Sequence, residues 1–372
     1  MHSISTLPPL LLCIVLAAAC DHTEPFDAGD TVSDTLIPGG SVLPRRLTFN
    51  QGDDGIPSVA GDYVAYGRQP IPHPDRDWCI AFIPLTGGKL TDETVCPAGG
   101  NANGIREAWL QPTVSPSGAS VAFVQQIGDT AVTALVPQRT AILTAPRDDL
   151  SDTTTVLDMT PLLFRIQGPF APVDASTVHR IQWSDEDHLL FIAGNQRNLL
   201  GSFCCDTLYV PMGLIELDLT DGTWSKIDLG PLPPFDYVRL NDGRIMFTEA
   251  EDPQFDRPGT PCEDEAPACP QNRIMVRRTD GTVSEFASLD GFGNITRLFG
   301  AGDALYAMVG NSVLWSVNTT NGVIENPSAP FGNLGASVDL QALAVAPALG
   351  LGVARADLPD GRPSNLWLIG LD

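Results

Sequence analysis

Eight cysteines, five histidines and a few carboxylate clusters are the side chains of this 372-residue chain that could do chemistry, and their spacing decides which chemistry. A metal site needs ligands gathered at short intervals. The histidines are His2, His22, His73, His179 and His188; no H-x-H or H-E-x-x-H occurs, and no cysteine pair has C-x2-C spacing beside a histidine. No metal is therefore expected. Asp185-Glu186-Asp187-His188 gathers oxygen ligands but lacks the glycine and distal glutamate of a calcium loop, so it reads as a solvated turn. There is no G-x-S-x-G elbow, phosphate loop or G-x-G-x-x-G, so no cofactor is expected and no residue is assigned a catalytic role.

The N-terminus carries an address. Leu7 to Ala19 is an apolar run too short to span a bilayer as a helix, and it ends in small residues before Cys20, the pattern of a secretory signal. Leu16-Ala17-Ala18-Ala19-Cys20 resembles the lipobox of bacterial lipoproteins. That resemblance implies a signal peptide over 1–19 and a lipidated Cys20 as the mature N-terminus, with the cell envelope as the location. Asp21 resembles the inner-membrane retention signal of enteric bacteria, a rule that differs between lineages, so which membrane stays open. Residues 21–42 hold five acids, no Lys or Arg and few large apolar residues, and with Cys20 form an acidic flexible tether.

An even number of cysteines in an exported chain favours disulfides. Six lie beyond Cys20. Cys79 and Cys96 are equidistant from the turn Thr86-Gly87-Gly88, which places them opposite each other on one hairpin, close enough to bridge. Cys262–Cys269 would staple a proline-rich segment, and adjacent Cys204 and Cys205 would form a vicinal bridge. The formal charge of −24 argues against nucleic acid and anionic membrane surfaces as partners, and leaves the lipid as the expected membrane contact.

Glycine and proline together make 67 residues, against about 45 at an average usage of roughly 12%. Such a chain folds as short strands and many turns. A unit of strand, tight turn and strand recurs six times: Pro57–Gly67, Pro112–Val124, Ile181–Ile192, Val238–Thr248, Arg297–Met308 and Leu343–Ala354. Equivalent Tyr66, Phe123, Phe191, Phe247, Tyr306 and Val353 are spaced by 57, 68, 56, 59 and 47 residues. A second hairpin follows each of the first five units, turning at Thr86-Gly87-Gly88, within 147–152, and at Asp221-Gly222, Asp280-Gly281 and Asn321-Gly322. Four strands per repeat of this length is the mark of a propeller blade. The last unit has only three strands, and Leu43–Phe49 is left over at the other end. The expected fold is thus an all-β, six-bladed β-propeller over 43–372, closed by an N-terminal strand that completes the last blade. The blades fall at about 50–98, 107–160, 163–228, 229–288, 289–328, and 332–372 plus 43–49.

Pro112-Thr-Val-Ser-Pro-Ser-Gly-Ala-Ser-Val-Ala-Phe123 resembles the S-P-D-G-x-x-I-A-F repeat of TolB-like, or WD40-like, bacterial propellers, with Ser117 in place of the Asp. The resemblance implies a periplasmic or surface propeller and no chemistry. The vicinal cysteines resemble those of quinone-dependent propeller dehydrogenases, which have eight blades and recurrent tryptophan motifs that this chain lacks.

In an antiparallel blade ABCD the A–B and C–D turns share one face of the disc, and the B–C and D–A connections the other. The first set is tight. The second is long, with B–C loops at 68–77, 126–132, 194–207, 250–272 and 356–364 and D–A loops at 97–107 and 161–178. Long loops on a rigid scaffold are where function sits. The candidate binding residues there are Arg68, His73, Asp75, Arg106, Arg197 and Arg257. The leading expectation is a non-enzymatic, lipid-anchored propeller that binds an envelope protein or glycan through this face. The alternative is a propeller hydrolase, lyase or dehydrogenase with carboxylates or histidines converging at the channel mouth on the same face.

Overall fold

The computed structural model describes residues 43–48, 53–69, 78–85, 94–97, 105–129, 139–159, 165–167, 172–174, 177–198, 207–249, 272–289, 295–310, 313–328, 330, 339–357 and 364–371. They form six four-stranded antiparallel sheets and one small hairpin. Arg45–Arg46 (β1) is the leftover strand. Blade 1 is Asp54–Ala60 (β2), Tyr63–Arg68 (β3), Cys79–Pro84 (β4) and Thr94–Val95 (β5). Blade 2 is Ile105–Val114 (β6), Ser120–Asp129 (β7), Arg139–Pro146 (β8) and Thr154–Asp158 (β9). Arg165–Gln167 (β10) pairs with Pro172–Asp174 (β11) in the D–A connection, where the sequence suggests only a loop. Blade 3 is Thr177–Trp183 (β12), His188–Asn198 (β13), Thr207–Asp218 (β14) and Trp224–Ile227 (β15). Blade 4 is Pro234–Arg239 (β16), Ile245–Glu249 (β17), Arg273–Arg277 (β18) and Val283–Ser288 (β19). Blade 5 is Ile295–Ala301 (β20), Ala304–Val309 (β21), Val313–Val317 (β22) and Ile324–Ser328 (β23). Blade 6 is Asp339–Ala346 (β24), Leu351–Asp357 (β25) and Asn365–Gly370 (β26), and β1 supplies its outer strand. The protein is a six-bladed β-propeller.

Closure works as the leftover strand predicts. Arg45 and Arg46 pair with Leu368 and Trp367, and the ladder continues where the Leu47 amide donates to the Leu366 carbonyl at 2.7 Å. The predicted bridge is also present: Ile80 pairs with Val95 and Ala81 with Thr94, so Cys79 meets Cys96 across the hairpin, with a Cα–Cα distance of 4.3 Å.

The hydrophobic core is divided among the joints between blades. Six apolar clusters sit one at each junction: blades 1 and 2, 2 and 3, 3 and 4, 4 and 5, 5 and 6, and 6 and 1. The repeat aromatics Tyr66, Phe123, Phe191 and Phe247 are fully buried within them, whereas Tyr306 is only partly covered. Because each sheet shields one neighbour's face, no blade could bury its apolar residues alone. Six such seams make the disc a cooperative ring. The Asp-Gly and Asn-Gly turns behave as their residues require. Gly322 has φ +74°, and a Cβ there would stand 2.3 Å from the Phe286 carbonyl oxygen, so only glycine fits.

The A–B connections are all short, from two residues (61–62) to five (115–119). The B–C connections vary widely, from three residues in blade 5 (310–312) to the link of blade 4, which runs from Glu249 to Arg273. Among the described residues no helix is long and apolar enough to cross a membrane.

Candidate functional site

The innermost strand of each blade lines the central channel, and all six share one irregularity. Between β2 and β3 the register steps from Asp54↔Arg68 to Pro57↔Tyr66; β6 and β7 step from Leu110↔Val124 to Thr113↔Ala122; β12 and β13 from His179↔Ile192 to Gln182↔Leu190. The same shift occurs at Pro234/Asp236, Ile295/Arg297 and Leu340/Ala342. Every inner strand thus holds one residue more than its partner, which is a β-bulge. A bulge resets which side chains face the channel and re-aims one of them. Pro57 and Pro112 are tolerated because inner strands are sheet edges, with no ladder partner on the channel side.

Two bulges are built on non-glycine residues in the left-handed region, Gln111 at φ 51° and Arg180 at φ 56°. Such strain persists only where the surroundings hold it. Gln111 Oε1 accepts from the Arg180 backbone amide at 2.9 Å, and Gln111 Nε2 donates to the Val178 carbonyl at 3.3 Å. So oriented, the Arg180 side chain crosses to blade 4, where Nε donates to Asp236 Oδ1 at 2.6 Å. Its Nη2 then donates to the Leu298 carbonyl of blade 5. Asp236, itself fully buried, also accepts from the Tyr237 amide at 2.9 Å and the Leu298 amide at 2.8 Å. The Tyr237 hydroxyl lies 2.6 Å from the carbonyl oxygens of both Arg180 and Leu190. One chain of bonds therefore runs from blade 2 to blade 5 at the channel's waist.

A second guanidinium, Arg297, stands beside this chain, 5.7 Å from the centre of the Phe235 ring. Burial lowers its pKa, with Asp236 opposing that shift and Arg180 adding to it. His179 is held well below its ordinary 6.5, first by burial and then by Arg297 and Arg180, so its ring is neutral. Above the waist toward the tight-turn face the channel opens into a cavity of about 590 Å³. Gln111, Thr113, Arg180, Gln182, Arg239 and Asn241 give its walls their polar character, and Arg239 Nη1 lies 3.3 Å from Glu216 Oε1.

The turn Asp185–His188 is exposed, as its sequence suggests. His188 Nδ1 lies 2.8 Å from Asp185 Oδ1, which raises the His188 pKa. Glu186 reaches back to blade 2, accepting from the Ser117 amide at 2.5 Å and from its hydroxyl at 3.0 Å. No cluster of three metal-binding side chains occurs among the described residues.

The residues singled out from sequence are scattered. Arg68 is the last residue of β3, buried rather than displayed, with Nη1 3.4 Å from Thr94 Oγ1. Arg106 and Arg197 lie on strands, paired with Gly128 and Leu208, where the sequence places both in loops (97–107 and 194–207). His73, Asp75, Arg257, Cys20, Cys204, Cys205, Cys262 and Cys269 lie outside the described residues. The sequence reading missed Gln111, Arg180, Asp236 and Arg297. The available signal was a lone charge inside an apolar strand, as in Phe235-Asp236-Tyr237-Val238, since such a charge needs a partner.

No protein-family model and no curated protein matches this chain. Among solved structures it is similar to the β-propeller domain of the Trilobed protease from Pyrococcus furiosus, at 13% identity and TM-score 0.47 over 87% of this chain and 94% of that one. It is similar to an oligogalacturonate lyase in complex with manganese, at 10% identity and TM-score 0.47 over 92% and 96% of the two chains. The WD40 repeats of RRP9 give 9% identity and TM-score 0.48 over 88% and 97%. These are likenesses of chain path at low identity; the propeller itself rests on the six sheets and their closure.

Proposed function

We propose that this chain is an envelope-anchored lipoprotein whose propeller binds a protein or glycan through the B–C and D–A face, without turning its ligand over. The observation that carries the binding face is the overrun of blade 3. The β13–β14 ladder continues through Asn195↔Val210, Gln196↔Tyr209, Arg197↔Leu208 and Asn198↔Thr207, past Thr177↔Gly194 at the start of the inner strand. Four further pairs extend that ribbon by roughly 13 Å on the B–C side. A two-stranded ribbon whose edges have no strand partner among the described residues offers main-chain groups to a binding partner. The lipobox-like Leu16–Cys20 supports the anchor. The engagement of Asp236 by three donors supports a non-catalytic reading, because a carboxylate so occupied is a poor general base.

The test pairs two measurements on the full chain. Mass spectrometry of the mature N-terminus should find a diacylated Cys20; an unmodified Cys20 or cleavage elsewhere rejects the anchor. Cross-linking in the envelope should give adducts that vanish when residues 254–271 are deleted while the melting temperature holds. Unchanged adducts, or a deletion that unfolds the disc, reject the binding face.

A further inference from the structure

The channel cavity has two unlike walls. Blades 2 to 4 line it with Thr113, Arg180, Gln182 and Asn241, whereas blades 5, 6 and 1 line it mostly with small or apolar residues such as Gly300, Ala301, Ala344 and Val59. The polar wall holds bonding groups that the fold leaves unused. Gln182 and Asn241 make no side-chain hydrogen bond among the described residues, and neither does the Thr113 hydroxyl. Arg180 donates through Nε and Nη2, and its Nη1 has no bond among the described residues. Thr113 is only 8% exposed, and a polar group so covered ordinarily has a partner. Because Thr113 lines the cavity, that partner must come from what the cavity holds.

The lining calls for no net charge in its ligand. Arg180 is bonded to Asp236, Arg239 lies beside Glu216, and Asp185 bonds His188. Gly61, Asn241 and Gly302 of the A–B turns lie at the mouth, and next to them in the chain stand the exposed carboxylates Asp62, Asp242 and Asp303. These repel an anion, while a cation would meet the Arg180 guanidinium at the floor. Trp183, Tyr237 and Phe299 border the cavity but are buried, so a flat aromatic ligand finds no ring to stack on. Carboxamides both donate and accept, as hydroxyls do, so the polar wall suits a ligand rich in hydroxyl groups. The lining goes no deeper than Gln111, Arg180, Tyr237 and Phe299, where Arg180 crosses to Asp236, so the cavity is a cup. Its volume of about 590 Å³ is that of a small-molecule site. A pyranose ring, with hydroxyls at its rim and a C–H face, matches both walls.

We propose that this cup binds a neutral saccharide, with Thr113, Gln182 and Asn241 holding the hydroxyls of one sugar ring and the small residues of blades 5, 6 and 1 covering its C–H face. The sugar is either free or the end of a glycan chain, because a cup closed at the waist admits no chain interior. The site lies on the opposite side of the disc from the proposed partner face and does not rest on it.

Calorimetry and thermal melts of the full chain test this with glucose, galactose, mannose and N-acetylglucosamine, and with a disaccharide of each. At least one should bind saturably, with a millimolar or tighter dissociation constant, and raise the melting temperature. A disaccharide that binds more tightly than its monosaccharide assigns a chain end, and equal binding assigns a free sugar. The uronic acid of the same ring should bind more weakly than the neutral sugar. Gln182→Leu should weaken binding about tenfold, the loss of a hydrogen-bonding partner, without lowering the melting temperature of the sugar-free protein. No saturable binding of any of these sugars, a uronic acid that binds as tightly as its neutral form or more so, or unchanged affinity in Gln182→Leu overturns the proposal. Should Gln182→Leu not fold, Asn241→Ala on the exposed turn takes its place: a tenfold loss supports the site, and unchanged affinity rejects it.

Discussion

The ring is held at two places by buried polar bonds, and they are made differently. At the closure of the ring beside blade 1, the first and last strands of the propeller meet within blade 6 without a covalent link, and short groups stitch this seam. Thr48 Oγ1 donates to Asp54 Oδ2 and accepts from the Leu366 amide at 2.8 Å. The Ser364 amide donates to Asp53 Oδ1 at 2.8 Å, and the Asp54 amide to the Ser364 carbonyl at 3.0 Å. At the waist the chain is continuous, and the bond is an arginine that spans three blades to a single buried carboxylate. Short hydroxyl and backbone stitches suffice where strands already run side by side. Where inner strands diverge around a channel, only a long side chain reaches across. The seam spreads its load over many weak bonds, whereas the waist concentrates it on one ion pair.

Breaking the waist should therefore cost most. Asp236→Ala strands the buried Arg180 guanidinium and the Leu298 amide, and removal of one member of a buried pair costs about 3–5 kcal/mol. Urea unfolding should show that loss as a lower midpoint. The seam should yield less to a single change. Thr48→Val removes the acceptor of the Leu366 amide and the hydroxyl donor to Asp54, a loss of about 1–3 kcal/mol in the same assay. A Thr48→Val cost above that of Asp236→Ala would reverse the comparison and show that the seam, not the waist, concentrates the load.

The smallest effect is one of pH. His179 at the waist is kept neutral by burial, so the folded state disfavours its protonation. Its contribution to stability is present above 6.5 and is lost as the pH falls below that value. His188 on the exposed turn has a raised pKa through Asp185, so its contribution is present below 6.5 and is lost as the pH rises. Melting temperatures between pH 7.5 and 5 should fall less in His179→Gln than in the wild type. His188→Gln should fall slightly more. Equal slopes in all three would show that neither histidine is linked to folding.

The architecture was legible because it repeats. Turn residues, the recurring aromatic or β-branched position and the unmatched strands at the two ends are local signals, and six copies average out the degeneracy of each. The Cys79–Cys96 bridge was legible for the same reason, since equal distances from a turn define a hairpin register. The bulges were not, because one extra residue in an inner strand vanishes in a spacing that already varies from 47 to 68 residues. Arg180 and Asp236 are 56 residues apart, and nothing local joins them. Arg197 misled because Gly194-Asn195-Gln196-Arg197-Asn198 has low strand propensity; pairing with Thr207–Pro211 overrides it.

The closing strand also fixes a load path. Because β1 is the outermost strand of blade 6, the backbone at Leu43 enters at the rim of the disc, and tension arriving there meets the β1–β26 pair before any other sheet. That pair spans two residues, and behind it stands the Leu47–Leu366 bond followed by Thr48 and its two partners. Mechanically, the protein has a short sacrificial strip backed by a buried stop. Peeling to Arg46 exposes one edge of one blade, and only force that pulls Thr48 free opens the ring.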